Sequence, residues 1–320
     1  MLRALSLTLV LCLTAPALAG NTIRLAVQAT GTVAWEIDVM RQHKLDMGFD
    51  LKILEQGGPE AGRIALKGGA ADIIVSDWLF VARERALGGS LKFTPYSTSV
   101  GAVMVPQASP AKTLADLKGK KLAVAGGAID KGWLLIQAAG RLEGIDLKKE
   151  AVLAFGAPPL LMEKTLQGEM DANLNFWNIC ARLEAKGFRR LISVEDAQLK
   201  LGLAAPSALL GYVFDDSFAK ANGPALDKFL AASRAAKDLL ATSDAEWDRI
   251  RPLMKVEDDA TFIATRNRYR EGIPRRSLAQ ETTDAAKLYR LLHEVGGPEL
   301  TGAAAELDPG TYYQPANAGN

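Results

Sequence analysis

The sequence predicts an α/β protein of two look-alike lobes facing each other across a closable cleft. Three observations predict it: an internal repeat, a strand–helix alternation within each repeat, and a helical C-terminal third. The repeat pairs Leu25-Ala26-Val27, Trp35, Leu66-Lys67-Gly68, Asp72 and Trp78 with Leu122-Ala123-Val124, Trp133, Leu166-Gln167-Gly168, Asp171 and Trp177. The offset stays between 97 and 100, and five residues separate acid from second tryptophan in both halves. Leu-Ala-Val alone is a common strand triplet. Order, spacing and tryptophan placement together favour duplication, and a duplicated unit fixes the topology.

Residues 1–19 read as a cleavable signal peptide: Arg3, an apolar run to about Leu13, then Ala17-Leu18-Ala19 before Gly20. The run is too short to span a bilayer. Leu11 stands where a lipoprotein signal at Cys12 needs a small residue. The mature chain is therefore expected to be exported, cleaved near Ala19. Without Arg3 it carries 37 basic and 37 acidic residues. That balance argues against nucleic acid or an anionic membrane as partner. Cys180 is then the one cysteine left, so no internal disulfide can form, and core filling is its simplest role.

The first lobe reads as strands over Arg24–Gln28, Leu51–Leu54 and Asp72–Val75, alternating with helices over Trp35–His43, Pro59–Lys67 and Trp78–Leu87. Thr98–Pro106 reads as one strand crossing to the second lobe, and Thr113 with Asp116 as a capping box on a short helix. The second lobe repeats the grammar. Its strands are Lys121–Ala125, Val152–Ala154 and Ala172–Leu174, and its helices Lys131–Leu142, Pro158–Gln167 and Trp177–Lys186. Short apolar runs alternating with helices indicate βαβ units on a parallel sheet. Leu209–Val213 reads as the strand returning to lobe 1, with Asp215 or Asp216 capping a helical segment that packs back on that lobe. Trp247 lies there as a packing residue. The boundaries are 20–101 and 209–320 for lobe 1 and 102–208 for lobe 2, with two crossover strands forming the hinge.

In such sheets ligands sit beyond the carboxyl ends of the strands, where helix N-termini point. All four repeated tryptophans fall at that edge. Each could simply brace a helix start; together, Trp35, Trp78, Trp133 and Trp177 suggest rings that stack a flat ligand or cage a cation. Lys131 is either an anion anchor or the partner of Asp130. Its loop lacks the Walker pattern, since Trp133 follows Gly132. Thr30, Thr32, Ser76, Thr98, Ser99, Asn175 and Asn178 offer hydrogen bonds to oxyanions, with capping as the plainer role. Glu36 and Asp77 at the same rim would repel an anion unless paired, so an amine-bearing ligand stays open.

The segments Asp116-Leu117-Lys118-Gly119-Lys120-Lys121-Leu122-Ala123-Val124, Leu166-Gln167-Gly168-Glu169-Met170-Asp171-Ala172 and Tyr269-Arg270-Glu271-Gly272-Ile273-Pro274 resemble periplasmic solute-binding proteins of the nitrate, sulfonate, taurine and thiamine-precursor group. Leu66-Lys67-Gly68-Gly69-Ala70-Ala71-Asp72-Ile73 is the first-lobe counterpart. The resemblance spans essentially the whole mature chain. It implies the type II periplasmic-binding-protein fold in a monomer that captures a small solute and hands it to an ABC permease in the inner membrane. It also implies that loops at Gln28–Trp35, Ser76–Trp78, Gly126–Trp133, Gly156–Pro159 (with Pro158) and Asn175–Asn178 line the cleft. The expected ligand is small and polar, anionic and flat in the leading reading: a sulfonate, a pyrimidine or a quinone cofactor such as PQQ. A quinone or pyrimidine ligand would itself be a cofactor or precursor; no catalytic cofactor or metal is expected. A delivery module for a periplasmic enzyme is the alternative. A pyrimidine-synthase-like enzyme is disfavoured, because only His43, His293 and one mature cysteine are available.

Overall fold

The computed structural model describes residues 21–29 and 31–315; the expected signal peptide, Thr30 and residues 316–320 lie outside them. Lobe 1 begins with β1 (Thr22–Gln28), α1 (Val33–Gln42), β2 (Asp50–Gln56), α2 (Pro59–Lys67), β3 (Ile73–Asp77), α3 (Trp78–Ala86) and β4 (Leu91–Ser97). Lobe 2 holds β5 (Gly101–Pro106), β6 (Lys121–Ala125), α4 (Lys131–Leu142), α5 (Leu147–Glu150), β7 (Val152–Gly156), α6 (Pro158–Leu166), β8 (Ala172–Phe176), α7 (Trp177–Ala185), β9 (Phe188–Ser193) and α8 (Val194–Lys200). The chain returns through β10 (Leu210–Asp215) and ends in α9 (Asp216–Thr242), α10 (Asp244–Met254), α11 (Asp259–Glu271), α12 (Leu278–Gly296) and α13 (Pro298–Thr301).

The repeat becomes two sheets of one design, ordered β2-β1-β3-β10-β4 and β7-β6-β8-β5-β9. In each, three parallel strands meet an antiparallel strand, β10 or β5, that the crossing chain inserts. Leu122, Ala123 and Val124 are all fully buried, as expected where helices cover both faces of a strand. The repeated acids explain part of the echo. Asp72 accepts from the Arg24 backbone N–H at 2.7 Å, and Asp171 accepts from that of Lys121 at 2.8 Å. Each acid ties the start of its lobe's first parallel strand to the parallel strand two strands later in the chain.

The expected Thr98–Pro106 strand is interrupted at the crossing. Thr98 N donates to Gly272 O (2.9 Å), Ser99 N to Ser97 Oγ (3.2 Å) and Val100 N to Glu195 Oε1 (2.9 Å). These donors leave the ladder, so the chain changes sheets there. The second crossing runs over 201–209. Thr113 and Asp116 form the expected capping box, and the short helix it opens is a single 3-10 turn, Leu114–Leu117. Strands β4 and β9 and helix α8 escaped the sequence reading. The C-terminal helices also reach beyond lobe 1: α9 and α10 pack on α1, while α11 packs on α7 and α12 on α4 in lobe 2. Arg268 of α11 pairs with Glu184 of α7 at 2.9 Å.

Gly272 closes α11 against the first crossing, and a β-carbon there would stand 2.5 Å from Ser99 Oγ and 2.7 Å from Ser99 Cβ. Gly272→Ala is therefore expected to lower stability by about 1–3 kcal/mol in urea unfolding. Gly223→Ala, whose β-carbon meets nothing within 4 Å, is the control.

Candidate functional site

The carboxyl ends of β1 and β3 face those of β6 and β8 across a cavity of about 1100 Å³, part of it open to solvent. Eight residues picked from the sequence line it: Thr32, Ser76 and Asp77 from lobe 1, and Asp130, Lys131, Pro158, Trp177 and Asn178 from lobe 2. Thr30 lies outside the described residues. The remaining six are elsewhere, each for a physical reason.

Trp78 opens α3 and Trp133 lies in the first turn of α4, but both are buried in one continuous core. The C-terminal segment converts the expected rim into interior: α12 covers this flank, and Tyr289 meets Trp78 at 6.3 Å between ring centroids. Trp133 packs edge-on to Phe155 at 6.3 Å. Trp35 belongs to a second core, against Trp247 (5.9 Å) and Tyr269 (6.2 Å). Thr98 and Ser99 are held at the crossing, by Gly272 and Ser97 respectively. Asn175 is turned inward: its side-chain amide donates to Pro158 O and Asn173 Oδ1, and its Oδ1 accepts from Phe176 N. Among the described residues Trp177 is thus the one tryptophan lining the cleft, joined by Phe176 and Tyr96.

The charges are paired before any ligand arrives. Lys131 Nζ stands 2.9 Å from Asp130 Oδ2 and over the Phe176 ring at 4.6 Å, and both partners are buried. Asp130 also caps α4 through Gly132 N. Sequence reasoning missed Arg63. It starts one turn after Pro59 and so projects from the same face as the first turn of α2. Its guanidinium bonds Asp77 Oδ2 and Glu60 Oε1, both at 2.9 Å, and Ser76 Oγ at 3.3 Å. Three acids therefore face two cations, and neither cation is an uncommitted anchor. Glu36, expected at the rim, is fully buried behind it. It accepts from Tyr96 and Tyr269 hydroxyls (2.6 Å each), Ser233 Oγ (3.1 Å) and Lys237 Nζ. Burial lowers the pKa of the Lys237 amine despite Glu36, and pushes those of the Tyr96 and Tyr269 hydroxyls up, reinforced by Glu36. Cys180 is buried, with its thiol pushed up to about 12 by burial.

Helix starts supply what the side chains do not. Helices α3, α4, α9, α10, α11 and α12 each have a side-chain cap. Helices α1, α2, α6 and α7 have none among the described residues, their N-caps being Thr32, Gly58, Ala157 and Phe176. These four starts border the cavity; the single-turn helices α5 and α13 are uncapped as well and lie away from it. Pro59, Pro158 and Pro159 carry no N–H, Trp177 N donates to Val100 O and Trp35 N to Thr32 O; the other first-turn N–H groups of these four have no partner four residues back, and the helix dipole adds positive potential.

Two lobes with strand ends and helix starts converging on one cleft define the fold of two-lobed periplasmic binding proteins. A family model described as NMT1/THI5 like matches residues 45–246, and the chain belongs to that family. Its fold is similar to that of the alkanesulfonate-binding protein SsuA from Xanthomonas axonopodis pv. citri bound to MOPS (TM-score 0.71, 19% identity, 90% of this chain and 99% of that one). It is also similar to the periplasmic aliphatic sulphonate-binding protein SsuA from Escherichia coli (TM-score 0.68, 17% identity, 94% of both chains). The periplasmic nitrate-binding protein NrtA from Synechocystis PCC 6803 aligns with a TM-score of 0.60 at 12% identity, over 86% of this chain and 85% of that one. A search of curated protein sequences returns no match.

Proposed function

We propose that this protein, exported to the periplasm, captures a small polar solute between its lobes and delivers it to an ABC importer in the inner membrane. The observation that carries this reading is the convergence of four uncapped helix starts, from both lobes, on one cavity. Orphan N–H groups favour a ligand rich in acceptor oxygens. Trp177, Phe176 and Tyr96 favour a flat body beside that head. A sulfonate, a pyrimidine and a quinone cofactor such as PQQ all have such acceptors, and the two rings with flat bodies meet both conditions. The sulfonate- and nitrate-binding neighbours support the acceptor-rich end of this description.

Native mass spectrometry of protein from its own host should show one small molecule per chain, and titration with sulfonates, pyrimidines and quinone cofactors should identify its class. A sharper test uses Gly58, whose backbone is extended at the start of α2 and whose β-carbon would meet open space. Gly58→Asp supplies the missing cap. It should weaken the ligand by about tenfold, roughly 1.4 kcal/mol, without lowering stability. Unchanged affinity would remove the helix starts from recognition.

A further inference from the structure

Each chain crossing between the lobes is fastened to a glutamate. At the first, Val100 N donates to Glu195 Oε1 at 2.9 Å; at the second, Ala208 N donates to Glu281 Oε2 at 2.8 Å. Glu195 lies in the first turn of α8 and Glu281 in the first turn of α12. Glu281 is fully buried; Glu195 is partly exposed as a residue, but its Oε2 is shielded. In both carboxyls the second oxygen, Glu195 Oε2 and Glu281 Oε1, has no hydrogen-bond partner among the described residues. The crossings themselves, 98–100 and 201–209, contain no charged side chain.

Neither carboxyl has a cation of its own. Arg190 of β9 faces Glu195 but is taken by Glu184 at 2.6 Å. Arg276 faces Glu281 and pairs with Asp284, which itself opposes ionisation of Glu281. The other groups around Glu195 are the Cys180 thiol of α7, Ser193 and, on α8 itself, Asp196 bound to Ser193. Strand β5 brings no charge, and the charged residues of α4 and its caps beside α8 are the paired Asp130 and Lys131, the Glu299-bound Arg141 and Glu143, which pairs with Lys200 of α8. Around Glu281 stand the Ser207 and Tyr312 hydroxyls.

We propose that Glu195 and Glu281 form a paired proton switch in the interlobe hinge: protonated, they hold both crossings in the arrangement described, and ionised, they release them. A carboxylate shut away from water without its own cation is costly, and opening the hinge returns it to solvent. Burial raises both groups above the ordinary glutamate value of 4.5, outweighing the opposing pull of the Val100 and Ala208 hydrogen bonds. The fastened state therefore binds more protons than the released state. It is favoured as pH falls and lost as pH rises through the window above 4.5. The inference does not depend on which solute fills the cleft.

Amide hydrogen exchange of the mature chain, from about pH 4.5 to about pH 8 and corrected for intrinsic rates, tests it. Protection at Val100 and Ala208 should fall as pH rises, about tenfold for each unit separating the carboxyl's values in the two states. Leu25 in β1 and Val124 in β6 report global unfolding, which costs more than hinge release, and should stay better protected than the crossings at every pH. Glu195→Gln and Glu281→Gln should each flatten the profile at their own crossing. The switch is overturned if Val100 and Ala208 follow the strand amides at every pH, or if folded glutamine variants keep the parental profile. Should a variant fail to fold by circular dichroism, the parental profile against the strand amides decides alone.

Discussion

Glu36→Gln is expected to lower stability by about 3–5 kcal/mol. The carboxylate is fully buried and serves four donors from β4, α9 and α11. An amide at that site brings two donors of its own and leaves Lys237 without a counter-charge. Lys237 has little other support: it lies over the Tyr96 ring at 3.5 Å, in a place where burial already disfavours its charge. Urea unfolding measures the loss. Because the folded amine titrates below its ordinary 10.5, the unfolded chain binds more protons, so stability from this group rises as pH climbs towards that value. The rise should be steeper in the variant, where Glu36 no longer supports the cation. Adding Lys237→Met removes the stranded charge and should recover about 1–2 kcal/mol of coupling. A loss below about 1 kcal/mol, typical of a surface change, would mean the network is not the brace its geometry describes.

Strand–helix alternation was readable because it depends on local periodicity. Lys121–Ala125 and Lys131–Leu142 lie where the spacing puts them, and the repeated Asp72 and Asp171 perform the same strand-tying task. The site was readable only as far as chain topology carries it: residues at strand ends face the cleft, hence Ser76, Asp130 and Lys131. What covers those ends is decided by α11 and α12, more than a hundred residues away from the first lobe's helix starts. No local pattern announces that Tyr289 will seal Trp78 or that Tyr269 and Lys237 will surround Glu36. Arg63 was missed for a different reason, since an arginine on an amphipathic helix looks like ordinary surface until its partners Asp77 and Ser76 are placed.

Trp177→Phe should abolish most of the fluorescence quenching that a ligand causes, whereas Trp78→Phe should leave it intact. Both indoles begin a helix just after a parallel strand, yet their surroundings differ. Trp78 is sealed; Trp177 borders the cavity and is only 7% exposed. From lobe 2 its ring meets Trp35 of lobe 1 at 6.3 Å and 87°, and Tyr269 of α11 at 6.1 Å and 60°. These edge-on contacts cross the cleft behind the ligand site, and each is worth about 0.5–1.5 kcal/mol beyond burial. Truncation to alanine removes them together. Trp177→Ala should therefore cost about 3–5 kcal/mol in unfolding, as large buried aromatics do. It should also enlarge the radius of gyration seen by small-angle scattering and weaken the ligand at least about a hundredfold, near 2.7 kcal/mol. Trp78→Ala should match the stability loss without the change in radius. If the two alanine variants expand and bind alike, Trp177 is an ordinary core residue, and the lobes are held together by the C-terminal helices alone.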